Sequence, residues 1–95
     1  MPAYVVFIRE GEITDPEAML KYQTEGSKGP PPANMKPLTV YGDQETIEGE
    51  PCDGIVILEF PDREAARAWY HGDYSNHAKY RMQAAPYRGF IVDGL

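Results

Sequence analysis

Cysteine is almost missing from this 95-residue chain. The single thiol, Cys52, leaves no partner for an intrachain disulfide and excludes any cysteine-cluster metal site. Long apolar runs are missing too: nothing approaches the roughly 18 residues of a membrane span. The opening Met1-Pro2-Ala3-Tyr4-Val5 lacks the basic flank of a secretory signal, so we expect a cytoplasmic protein with no membrane partner. Basic residues are few, 9 Lys and Arg against 15 Asp and Glu, for a net charge of −6. Nucleic acids need a basic face to neutralise phosphates, and the basic residues here are scattered, which excludes them as partners. What remains is one domain over residues 1–95, whose hydrophobic fraction of 42% suffices for a thin core.

Two continuous apolar runs stand out. Ala3-Tyr4-Val5-Val6-Phe7-Ile8-Arg9 and Ile55-Val56-Ile57-Leu58-Glu59-Phe60 lack alternation and are β-branched or aromatic, as expected of strands buried on both faces. Between them, Asp15-Pro16-Glu17 reads as a cap, a first helical position and a dipole partner, predicting a helix over residues 16–25. Gly26, Gly29 and Pro30-Pro31-Pro32 stop it. A strand over 36–42 starts behind Pro37 and is therefore placed at an edge, and turn chemistry fills 49–54. After Pro61, Asp62 caps an alanine-rich helix through Tyr70; Gly72 interrupts, and a further helix over 73–84 is closed by Pro86. Tyr87-Arg88-Gly89-Phe90-Ile91-Val92-Asp93 makes the last strand.

Strand, helix, strand, strand, helix, strand is the split βαβ order, which predicts an α+β, ferredoxin-like antiparallel sheet ordered 4-1-3-2 with its helices on one face. Tyr4, Val6 and Ile8 then point one way and Val5 and Phe7 the other; Ile55 and Ile57 oppose Val56, Leu58 and Phe60. Both faces are apolar and the helices can cover only one. A second copy packed on the other face is the simplest cover, giving a homodimer through a two-fold interface with a charge of twice −6. The alternative is a monomer whose loop over 27–36 folds across the sheet.

The opening strand, the Gly54-Ile55-Val56-Ile57-Leu58-Glu59-Phe60-Pro61 segment with Glu64-Ala65-Ala66-Arg67-Ala68-Trp69-Tyr70 behind it, and the closing Tyr87 to Gly94 segment resemble domain of unknown function family 1330 over nearly the whole chain. The resemblance implies a ferredoxin-like dimeric α+β barrel and assigns no reaction. Two places depart from the family pattern: His71-Gly72-Asp73 replaces an expected Ser-Pro pair, and the triple proline falls where the first helix commonly runs on.

Candidate chemistry is sparse. His71 and His77 do not share a helical face and have no evident third ligand, so no metal is expected, and no cofactor. Either histidine can act as a general base or simply be an exposed or cap-region residue. Cys52, with no adjacent base, reads as a turn residue. Glu59, among apolar neighbours near Tyr4, is a candidate acid or base, or else makes a dimer or cap hydrogen bond. Arg9 and Arg88 come to one end of the sheet, where they can bind an anion or pair with Asp53, Glu10 or a second subunit. Tyr22, Tyr41, Trp69, Tyr74 and His77 are the expected lining of a small pocket between sheet and helices. Two functions follow: a homodimeric domain that binds a small organic ligand or another protein without chemistry, or a cofactor-independent monooxygenase or isomerase for a small aromatic or lactone, with Glu59, His77 and the tyrosines moving protons.

Overall fold

Alternation along two central strands organises the molecule. The computed structural model describes residues 1–26, 32–72 and 74–95. In chain order the elements are β1 (Ala3–Arg9), α1 (Pro16–Gly26), β2 (Lys36–Val40), β3 (Gly54–Phe60), α2 (Arg63–His71), α3 (Ser75–Ala84) and β4 (Tyr87–Asp93). The four strands form one antiparallel sheet in the order β2-β3-β1-β4, the expected α+β, ferredoxin-like arrangement. No described helix is long and apolar enough to cross a membrane.

In β1, Ala3, Val5 and Phe7 are buried, as are Val56, Leu58 and Phe60 of β3; these face the helices and meet Ala66 of α2 and Ala78 of α3. Their neighbours Tyr4, Val6, Ile8, Ile55 and Ile57 lie on the opposite face, only half-buried, and Phe90 and Val92 of β4 are exposed there. The molecule measures 35 × 34 × 18 Å, the thin dimension holding one sheet and one helical layer. One apolar sheet face is thus left uncovered among the described residues.

Side-chain caps start two helices. Asp15 Oδ1 accepts from the Ala18 amide at 3.1 Å, and Asp62 Oδ1 from the Ala65 amide at 2.7 Å. Asp62→Ala leaves the latter amide without its partner, so a loss of about 1 kcal/mol in urea unfolding is expected, and Asp62→Asn should retain most of it. Arg63 holds Asp93 through two hydrogen bonds, which keep that carboxyl below the usual carboxylate range and tie α2 to the end of β4.

The second strand differs from the sequence expectation in its end and in its regularity. β2 ends at Val40 rather than residue 42, because Tyr41 turns the chain with φ 54°. Leu38 is an extra residue in β2: Pro37 pairs with Leu58 and Thr39 with Ile57, a bulge beside a proline that cannot donate to the ladder. α3 is regular from Ser75, where Ser75 Oγ donates to the Gly72 carbonyl at 2.7 Å. The glycine–proline stop after α1, the loop over 27–36 of the monomer alternative and the start of the third helix at Asp73 fall wholly or partly on 27–31 and 73, outside the described residues.

Candidate functional site

A cavity of about 240 Å³ lies between the helices and the β1–β4 side of the sheet. Its buried floor is Val5 and Phe7 of β1 and Arg81 of α3; Tyr70, Tyr87 and Ile91 are half-buried walls, and the exposed His71, Met82 and Phe90 form the rim. Gly89 lets the Phe7 ring lie close against β4: a Cβ there would sit 3.1 Å from the ring and push it back by a few tenths of an ångström.

Arg81 is the unusual member. It follows Tyr74 and Ala78 at helical spacing on the buried face of α3 and is only 3% exposed. Its guanidinium packs 4.2 Å from the Phe7 ring centroid and 4.6 Å from that of Tyr87. Arg81 Nε donates to Tyr74 Oη at 3.1 Å, and Nη1 is buried with no partner. The ion pairs among the described residues are Arg63–Asp93 and Arg88–Glu10, and neither includes this cation. A buried charge so placed is costly unless a counter-charge arrives.

The hydroxyls around it stay neutral. Tyr74 Oη meets Tyr22 Oη at 2.8 Å, and burial pushes both phenols above their ordinary value, outweighing the opposing pull of Arg81. Tyr41 Oη meets Tyr87 Oη at 2.6 Å, and partial burial with that hydrogen bond raises Tyr41 likewise. Gly54 permits this contact, since a Cβ there would meet the Tyr41 ring at 2.5 Å.

The sequence-derived candidates separate. Tyr22, Trp69, Tyr74 and His77 do meet: Trp69 stacks on Tyr74 with centroids 4.1 Å apart, and the His77 ring stands edge-on to Tyr74 at 6.3 Å. Tyr41 instead joins Tyr87, and none of the five lines the 240 Å³ cavity. His77 Nδ1 is buried without a partner. Arg9 and Arg88 reach the same sheet end on opposite faces. Arg9, on the helical side, donates to the Asp53 carbonyl at 3.0 Å and lies over Tyr41; Arg88, on the open side, pairs with Glu10 at 3.3 Å. They do not converge on one anion.

Glu59 stands opposite Tyr4 on the open face, away from the helices. Cys52 Sγ donates to Gln44 Oε1 at 3.2 Å within the turn before β3. Among the described residues no group of three His, Cys, Asp or Glu is placed to hold a metal ion. The residues that sequence reasoning missed as a site are Arg81, Tyr70 and Tyr87. For Arg81 the signal was present, a charged residue on the same helical stripe as Tyr74 and Ala78.

The family described as "Domain of unknown function (DUF1330)" matches residues 2–95. Among solved structures, the crystal structure of RPA0582, a protein of unknown function from Rhodopseudomonas palustris, is similar with 19% identity and a TM-score of 0.64, covering 99% of this chain and 82% of that one. At that identity the likeness speaks for the fold alone. No curated protein matches the chain.

Proposed function

Because the chain belongs to the DUF1330 family, whose description names no activity, we propose its function from its own geometry: a cytoplasmic homodimeric domain that binds a small organic molecule. The cavity of about 240 Å³ carries this reading. A concave site with apolar and aromatic walls and a few polar groups is the ordinary form of a ligand pocket, and this one lies below the roughly 300–1,000 Å³ of drug-sized sites. Its occupant is accordingly small. The uncovered face bearing Tyr4, Val6, Ile8, Ile55, Ile57, Phe90 and Val92 supports the dimer. Binding is favoured over a monooxygenase or isomerase role because Glu59 faces the opposite side of the sheet and His77 does not line the cavity.

The experiment is a thermal-shift screen with small aromatic and aliphatic compounds, neutral and charged. A true ligand at about a hundredfold excess over its Kd should raise the midpoint by roughly 10 °C or more. Met82→Trp, on the exposed rim, should leave the ligand-free midpoint nearly unchanged and remove the shift. Absence of any stabilising compound across the screen would overturn the proposal.

A further inference from the structure

Resting on that binding reading, we infer that the ligand is a small organic monocarboxylate whose carboxylate docks on the buried guanidinium of Arg81. Aromatic rings pack close to the guanidinium, leaving its in-plane N–H groups to make directional bonds. Nε–H is already committed to Tyr74, whereas Nη1 is buried without a partner on a side chain that lines the cavity. A carboxylate matches the planar fork of the remaining donors and returns one negative charge for one positive. The phenols of Tyr22, Tyr74 and Tyr41, pushed up by burial, cannot do so as neutral groups. Val5, Phe7, Tyr70 and Ile91 fit an apolar or aromatic body behind the carboxylate. A single cation in an apolar wall, in a chain of net charge −6, disfavours dianions such as phosphate monoesters.

The test uses benzoate and benzamide, alike in shape and different in charge, in calorimetric titrations of the intact protein. Benzoate should bind about tenfold more tightly or better, the margin of a charge-assisted hydrogen bond. Arg81→Met keeps the length and apolar packing of the side chain and should erase the preference. In spectra of protein labelled with ¹⁵N-arginine, benzoate should shift one guanidinium Nη signal in the wild type, and that signal should be missing from Arg81→Met. Equal affinity for benzamide and benzoate, or a benzoate preference that survives Arg81→Met, overturns the carboxylate assignment while leaving the binding reading standing. Failure of both compounds to bind overturns this inference, and the screen above decides separately whether the binding reading falls with it.

Discussion

Phe60→Ala is expected to cost about 3–5 kcal/mol of folding stability, the range for deleting a fully buried phenylalanine. Phe60 is 1% exposed at the end of β3, opposite Ala3, and its ring lies 5.4 Å from that of Trp69. The space left by the ring cannot readily be refilled. Trp69 also stacks on Tyr74 at 4.1 Å, and Tyr74 is fixed in turn by its hydroxyl contact with Tyr22 and the hydrogen bond it accepts from Arg81 Nε. The residual cavity therefore adds to the lost transfer energy rather than collapsing. Urea unfolding followed by the fluorescence of Trp69, the sole tryptophan, reads the effect as a lower midpoint with an unchanged slope. A loss below about 1 kcal/mol would contradict the packing of α2 on β3, since it is the size expected for surface changes rather than core deletions.

Much of this fold is legible because its signals are local. The two unbroken apolar runs in β1 and β3, Pro16 behind Asp15, and Pro61-Asp62 before an alanine-rich helix each state their element without reference to the rest of the chain. The strand order follows once those elements are in sequence. Where the sequence reading falls short, the missing information is a pairing. Arg9 and Arg88 reach the same end of the sheet, but Arg9 is opposite Tyr87 while Arg88 is opposite Ile8, so one register step sends them to different faces. Tyr41 meets Tyr87 only because a left-handed residue turns the chain after β2, and the bulge at Leu38 shows only when Pro37 and Thr39 find successive partners. The face of Glu59 is legible in the sequence: it shares parity with Ile55 and Ile57, which places it on the face away from the helices. Arg81 is the reverse case. Its position on the stripe of Tyr74 and Ala78 is legible, yet a charge on a helix reads as solvated until burial and the flanking rings of Phe7 and Tyr87 are known.

In the proposed homodimer, of twice the 10.7 kDa chain mass, Val6→Glu is expected to leave a folded monomer. Val6 sits at the middle of the open face, paired across the sheet with Ile57 on one side and Phe90 on the other. A two-fold interface on this face contains the same residue once from each copy, so the substitution buries two carboxylates without counter-charges. Each costs several kcal/mol, and a rise of at least about a hundredfold in the dimer Kd follows. The protomer should survive, because Val6 is only half-buried and contributes nothing to the helix-covered core of Val5, Phe7, Val56, Leu58 and Phe60. Val5→Glu, one position away and 1% exposed, should instead abolish folding. Sedimentation across micromolar concentrations, with circular dichroism as the check on folding, separates these outcomes. A wild-type chain that is monomeric throughout, or a Val6→Glu variant that dimerises as tightly as the wild type, would remove the open face as the site of association. A monomeric, folded Val6→Glu beside an unfolded Val5→Glu is the pattern that two faces with different work require, one completing the protomer and the other joining two of them.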